Sequence, residues 1–531
     1  MRTATIRGVL GLAISVLFLD GCPPSFSPSC SGDECVGVDA TCKNNVQCNL
    51  ARGPSWVCRS STQRCVNLAS EDCKRILGDT SHDDAVVVGS VFPVEGSYQL
   101  WGKPIENGVE LAFDDFLQAG GLPPLPGKTQ RRPMVLIACN DGANALTAIR
   151  AARHLTEDVG VPAIIGSAYS GVTTEVATKV TIPAKVLLIS PSATDPTLST
   201  LADDGLVWRT CPSDVTQASA HAALMKILEP DLKTRLSADK LKVVILHKNN
   251  SNGRDLGDAL MSVLKFNDAT ATHPSNGNYF RRAEYVMQGG TNPDPIPAGP
   301  GGEWIDELAA FKPHVIFLLG TAETVYSIIP MIEDAWPIVS YRPFYLLTDG
   351  SAIPQMANAL ALAPEARQRM LGTKPGTGGE NFKGFVRDYR SRIHDGTSPE
   401  ATGAVNAYDA FYTLMYAIVA LGDKPMTGPN IAGGFSRLIA SAPALPSGPA
   451  AIHEAFRLLT EGSSFNYEGA SGPLDFDMTT GEPHSDIQLW CVREDNNGKI
   501  TDPITIPAAY FSTTTPNPTG GWPAIRQFCD L

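Results

Sequence analysis

From residue 85 onward, short and wholly apolar runs alternate with longer amphipathic stretches. Residues 85–91 (AVVVGSV), 134–138 (MVLIA), 163–166 (AIIG) and 186–189 (VLLI) have the length and unbroken apolarity of strands buried on both faces. After the turn at 93–96, Ile105, Val109, Ala112, Phe113 and Phe116 recur at helical spacing, which predicts a helix with Pro104 in its first turn. Residues 146–159 and a stretch from about Thr173 predict two more helices. A second series follows residue 210, with strands at 241–246, 283–287, 314–319 and 343–347 separated by helices such as 218–228 and 253–264. Alternation of this kind predicts an α/β architecture with mainly parallel, doubly wound sheets, and two series of similar size predict two lobes. Residues 402–421 carry Tyr408, Phe411, Met415 and Ile418 at helical spacing and are apolar over most of their surface, so a buried helix is expected. Asp409 and several tyrosines argue against a membrane span there. The glycine- and proline-rich pieces 289–302 and 372–380 are expected as surface loops.

One junction carries chemistry. In "VLLISPSATDPTLS", residues 186–199, a buried strand gives way without a spacer to Ser190, Ser192, Thr194 and Asp195. The carboxyl ends of strands in an open α/β sheet are where ligands bind, so the hydroxyls suit a binding rim. A plain turn with a helix cap gives the same pattern.

Bulk numbers narrow the classes. The 531 residues suffice for two or three domains, with 43% apolar and 18% charged residues and no long low-complexity tract. A formal net charge of −13 and the scarcity of clustered Lys and Arg argue against a nucleic-acid or anionic-membrane surface. The basic runs 128–132 and 281–282 are expected as short solvated clusters.

The amino terminus is an export signal in pattern. Arg2 and Arg7 precede an apolar stretch, 9–19, that is too short to span a bilayer, and Leu19-Asp20-Gly21-Cys22 follows. The segment resembles a bacterial lipoprotein signal peptide, 1–21, with Cys22 as the lipid-bearing residue; an uncleaved apolar anchor is the alternative. Seven of the twelve cysteines crowd into one segment, at 30, 35, 42, 48, 58, 65 and 73, among small polar residues. In an oxidising compartment this reads as a disulfide-stapled module, 22–84, and a zinc module is disfavoured because CxxC pairs are missing. Without Cys22 eleven cysteines remain, so at least one thiol is unpaired or pairs between chains.

Enzyme motifs fail on inspection. "GLPPLPGKT" places Gly121 six residues before Gly127, where a phosphate-binding loop needs five, and its prolines remove N–H donors. Residues 166–171 do not fit GxSxG, and His453-Glu454 lacks the second histidine of HExxH. A lone histidine such as His247 is expected to be structural. A non-enzyme without metal or cofactor is therefore expected.

Longer segments resemble a known family. "VGSVFPVEGSYQLWGKPIENGVELAFDDFLQAGGL", "IIGSAYSGVTTEVA", "LLISPSATDPTLS" and "VWRTCPSD", then "VVILHKNNSNGRDLGDAL", "YLLTDGS", "NAYDAFYTLMYAI" and "EGASGPLDFDMTTGE", occur in the order seen in the type 1 periplasmic binding proteins. They are most similar to the branched-chain amino-acid-binding branch of ABC transport. The resemblance covers roughly Val86 to Trp490 and leaves out the cysteine-rich segment. It implies two α/β lobes joined by three crossings and closing on ligand by a hinge: 85–210 with 351–465 as lobe one, 211–350 with 466–531 as lobe two. It implies a ligand carboxylate held by Ser170 in "SAYSG", with Ala168 and Tyr169 beside it, and by Ser192, Ala193 and Thr194 in "PSATD", where hydroxyls and helix amino termini favour an anion. It places an acid for the ligand ammonium at Asp349, whose alternative reading is a turn residue before Gly350. Trp101 matches a position that is often aromatic, whereas Asn252 and Thr321 stand where relatives often have aromatic residues, which suits a polar ligand. The implied protein is a lipid-anchored solute-binding protein of the bacterial cell envelope that captures an amino acid or similar zwitterion for an ABC transporter permease. A ligand-sensing component of the same fold is the alternative, and a cleft that has lost ligand binding and serves only as a contact domain is a third.

Overall fold

The strand-like runs become strands because each is flanked by helices that cover both faces. The computed structural model describes residues 41–286, 303–338, 340–353, 356–376, 379–439, 441–511 and 521–531. The signal segment 1–21, Cys22, Cys30, Cys35 and the whole stretch 289–302 lie outside the described residues.

Lobe one is built on a six-stranded sheet. Its order is Arg75–Gly78, Met134–Asn140, Val86–Phe92, Ala163–Gly166, Leu187–Ser190 and Val207–Arg209, parallel except for the first, antiparallel strand. Register is fixed by pairs such as Val86 with Met134 and Ile165 with Ile189. The helix Gln99–Gln118 packs along Ala404–Val419, whose 16 residues are all buried. The first of these helices begins earlier than its periodicity predicts, so Pro104 is its sixth residue and not part of the first turn. Asp409 is tolerated inside the second because its carboxylate accepts from Tyr467, from the Ala470 and Ser471 N–H groups and from the Ser471 hydroxyl.

Lobe two holds a seven-stranded sheet in the order Phe280–Tyr285, Val243–Lys248, Val315–Leu319, Phe344–Leu347, Met370–Pro375, Ile487–Cys491 and Ile504–Phe511. The first five are parallel and the last two antiparallel. The chain passes between the sheets after Arg209, after Pro375 and before Ile487.

These crossings correct the expected lobe boundaries. Residues 351–375 belong to lobe two, because Ile353, Met356 and Leu360 join its core and Met370–Pro375 pairs with Phe344–Leu347. Residues 466–483 belong to lobe one, where Tyr467, Ala470 and Leu474 are buried. Part of the expected 372–380 loop is thus a strand. Its glycine is there for packing: a Cβ on Gly372 would lie 2.0 Å from the Trp490 ring, so only a bare backbone lets the indole rest on the strand. The basic runs are largely solvated as expected, with Lys128 and Arg281 exposed, and Arg132 is the exception. Arg132 is buried and donates to Pro123 O, and Arg281 stacks over Phe311.

The cysteine-rich segment forms the helix Asn45–Arg52 and the hairpin Trp56–Arg59/Arg64–Asn67, stapled by Cys42–Cys58 and Cys48–Cys65. Sulfurs of Cys42, Cys48 and Cys65 cluster, but all three are in disulfides and offer no thiolate to a metal. A third bridge, Cys73–Cys139, ties the segment to lobe one, and Val57 and Leu68 share that lobe's core. Lobe one therefore begins at Arg75, ten residues earlier than expected. Cys491–Cys529 fastens the last helix, Gly521–Cys529. Cys211 is the one unpaired cysteine among the described residues, buried, with its thiol pushed up to about 12 by burial. No helix among the described residues is long and apolar enough to cross a membrane.

Candidate functional site in the interlobe cleft

Strand carboxyl ends from both sheets lead into segments that meet. The helix opening at Ser170 touches Ser251–Val263 of lobe two, and Trp101 packs against the lobe-two cluster of Leu318, Leu347 and Ile353. Trp101 is thus a lobe-one side chain seated on lobe two.

The lobe-one wall is a hydrogen-bonded loop. Ser190 Oγ donates to Ser167 O at 2.7 Å and accepts the Ala193 N–H at 3.0 Å. Ser192 Oγ donates to Ala168 O at 2.8 Å. Arg209, itself buried, donates to Ala193 O at 3.2 Å, Asp195 O at 2.8 Å and Ser199 Oγ at 2.6 Å, and pairs with Glu482. Ala193 has no exposed surface and both its backbone groups are taken, so it frames the loop from behind. Ser192 likewise spends its hydroxyl proton on Ala168. Ser170 is different. Its oxygen accepts the N–H groups of Thr194 and Asp195 at 3.2 and 3.3 Å, which leaves the hydroxyl proton for an outside acceptor. Tyr169 is half-buried in edge contact with Tyr98, ring centroids 5.9 Å apart, and burial raises its phenol above the usual range.

Thr194 leads toward lobe two. Its carbonyl accepts the Asp214 N–H at 2.8 Å, and its side chain bonds the Asp214 carboxyl. Asp214 is buried; burial first, and then the nearby Asp349 charge, push its pKa up to about 8, so it is protonated at neutral pH. Asp349 stands half-buried at the start of the turn Asp349–Ser351, accepts from Gln217 Nε2 at 3.1 Å, and has its pKa raised by burial. Ser170, Thr194 and Asp214 therefore form a chain of contacts from lobe one to lobe two, and Asp349 lies near enough for its charge to act on Asp214.

The rest of the lobe-two wall is charged. Glu323 accepts from Tyr285 OH at 2.9 Å, from the Thr321 N–H at 3.0 Å and from the Thr321 hydroxyl, and Lys248 Nζ lies 3.3 Å away. Burial would raise the Glu323 pKa, but Lys248 and the Thr321 bonds outweigh it and hold the carboxyl below its usual range. Thr321 is close to the Asp349 turn, since a Cβ on Gly350 would lie 3.0 Å from its methyl group. Asn252 is the second residue of Ser251–Val263, and its side chain lies outside the described residues. Sequence reasoning missed Arg209, Asp214, Gln217, Lys248 and Glu323. A signal existed for three of them: Arg209 and Asp214 lie in the "VWRTCPSD" motif, and Lys248 closes an apolar strand.

Residues 85–280 match the family model for periplasmic binding proteins. The leucine-binding protein LivK of Thermotoga maritima superposes with a TM-score of 0.57, covering 81% of this chain and 99% of that one at 17% identity. The chain has the type 1 periplasmic-binding-protein fold. A solute-binding protein from Rhodopseudomonas palustris in complex with 3,4-dihydroxybenzoic acid shares this periplasmic-binding-protein fold at a TM-score of 0.56, 16% identity, and coverage of 81% and 98%. Among curated proteins, a chemotactic signal transduction system substrate-binding protein, BasB of Halobacterium salinarum, is 26% identical over 395 residues, 73% of this chain and 83% of its own.

Proposed function

We propose that this protein captures an amino acid or similar small zwitterion between its lobes and presents it to a membrane ABC transporter. The observation that carries the reading is the run from Ser170 through Thr194 to Asp349. Lobe one offers a hydroxyl proton to a carboxylate, and lobe two offers a carboxylate to an ammonium. A ligand with both groups bridges the lobes, and its charge-assisted bonds are stronger than neutral ones. The matched family and the leucine-binding neighbour support a small-molecule ligand. A second reading, delivery to a chemotaxis receptor, is supported by the BasB match over 73% of the chain. Either partner requires an extracytoplasmic protein, in keeping with the four disulfides among the described residues.

A thermal-shift screen of the purified protein against amino acids tests the ligand, because binding to the folded state alone raises Tm. The Asp349→Ala variant is expected to abolish any amino-acid shift. An unchanged shift in that variant removes Asp349 from the site.

A further inference from the structure

Where the lobes meet beside Ser170, two acids from opposite lobes face each other. Asp195 follows Thr194 in the lobe-one loop; it is buried, and its N–H donates to Ser170 Oγ at 3.3 Å. Its Oδ1 accepts from the Thr197 N–H and the Thr197 hydroxyl, both at 2.7 Å, which leaves Oδ2 for lobe two. Asp255 belongs to the lobe-two helix Ser251–Val263, which touches the lobe-one helix opening at Ser170. Its half-exposed carboxyl lies within hydrogen-bonding reach of the Asp195 carboxyl. Two carboxyl groups hydrogen-bond to each other only while one of them keeps its proton, and two ionised ones in that position repel.

The other charges around the pair have partners of their own. On the same helix Arg254 donates to Asn249 Oδ1 at 2.7 Å, and Asp258 pairs with Arg282. On the strand packed beneath, Lys248 pairs with Glu323, and His247 Nε2 accepts from Arg282 Nε at 3.1 Å. On lobe one Glu175 pairs with Lys179, and Arg209 spends its guanidinium on Glu482, Ser199 and two carbonyls. Asp214, at the start of the helix packed beside Ser251–Val263, adds one more acid and no cation. Burial first, and then the Asp195 charge, raise the Asp255 pKa to about 6, and the attraction of Arg254 does not offset them. Two carboxyls are too few to hold a metal ion, and the cysteine cluster is the one place among the described residues where three ligating groups converge. A proton is the bridge that fits.

We propose that Asp195 and Asp255 form a proton-operated latch between the lobes, so that closure takes up one proton and the cleft holds its ligand more tightly as pH falls. The latch needs two lobes that meet, whatever the ligand is, and so goes beyond the zwitterion reading. With the lobes apart, Asp255 returns toward the ordinary carboxylate range, about 4. With the lobes together it keeps the shared proton up to about pH 6. The closed state is therefore supported fully below about pH 4 and loses that support as pH rises to about 6, by at most about 10-fold in the closed-to-open ratio per pH unit.

Small-angle X-ray scattering of the ligand-free full chain, from about pH 4.5 to about pH 7.5, tests the latch in wild type, Asp255→Asn and Asp214→Asn. The radius of gyration of the wild type is expected to rise in a step as pH passes through about 6. Asp255→Asn is expected to show no step, because its amide donates to Asp195 at every pH. Asp214→Asn is expected to keep the wild-type step. Asp255 is half-exposed, so its replacement spares the core, and a Tm measured at each pH confirms that every variant is folded. A wild-type radius that is constant with pH, or a step that Asp255→Asn retains, overturns the latch. A step lost in Asp214→Asn and kept in Asp255→Asn overturns it too and moves the coupled proton to Asp214. No ligand enters the measurement, so neither result touches the zwitterion reading.

Discussion

The two walls of the cleft are held by different interactions drawn from different ranges of sequence. On lobe one, Ser192 and Ala168 are 24 positions apart, and the bonds that shape the loop are mostly hydroxyl to backbone. On lobe two, Gln217 reaches Asp349 over 132 positions, and Lys248, Tyr285 and Glu323 arrive from three separate strand ends. A neutral wall built on local hydrogen bonds is preorganised and tolerates a range of charges opposite it. A charged wall discriminates, because each buried charge must find its counterpart. Under the proposed function, lobe one supplies general anion recognition while lobe two sets ligand class.

Removing the support of the neutral wall should have the largest effect. Arg209 is buried and joins the 190–199 loop to Glu482. Arg209→Ala leaves that carboxylate and two carbonyls without their donor, and a loss of about 3–5 kcal/mol of stability is expected by denaturant unfolding. A loss below about 1 kcal/mol would show that the loop holds its shape without Arg209, and that the neutral wall is self-supporting.

That contrast also explains what was legible in the sequence. The parallel strands, the buried 404–419 helix and the "SAYSG" and "PSATD" loops announce themselves through contiguous residues. The strand Met370–Pro375 was hidden, because its glycine serves the Trp490 indole from 118 positions away and its proline ends the strand. Read alone, "MLGTKP" has the composition of a loop. Ser192 and Ala193 were legible as members of the strand-end loop but not as its frame, since that role depends on Arg209 and Ala168. Lys248 marks only the end of an apolar strand and Glu323 carries no local pattern; their meaning is the ion pair, and the ion pair exists only after the strands align.

A second test acts where the walls join. Asp214 touches Thr194 on one side and feels the Asp349 charge on the other. Its folded pKa, about 8, lies above the unfolded value, so its contribution to stability is complete below about pH 4 and is lost as pH rises toward 8. The wild type should lose up to about 1.4 kcal/mol per pH unit from this one proton within that window. Asp214→Asn keeps a neutral group and should flatten the profile, measured as Tm against pH. A slope that survives the substitution assigns the titration to other groups.

The smallest effect is expected on the charged wall itself, because Lys248 is partly solvated and contributes only one of several interactions that hold Glu323. Lys248→Met should lower stability at pH 7 by about 1–2 kcal/mol. The pH signature is more telling than the magnitude. In the folded protein Glu323 sits below its usual pKa, so its contribution is present above the ordinary carboxylate range and is lost as pH falls through the folded value. Without Lys248 the opposing effect of burial is less compensated, the carboxyl titrates higher, and acid unfolding should begin at a higher pH. If Lys248→Met leaves the acid limb of the Tm profile where it was, Tyr285 and Thr321 alone hold Glu323 ionised, and the wall is charged in composition but hydrogen-bonded in practice, like its neighbour across the cleft.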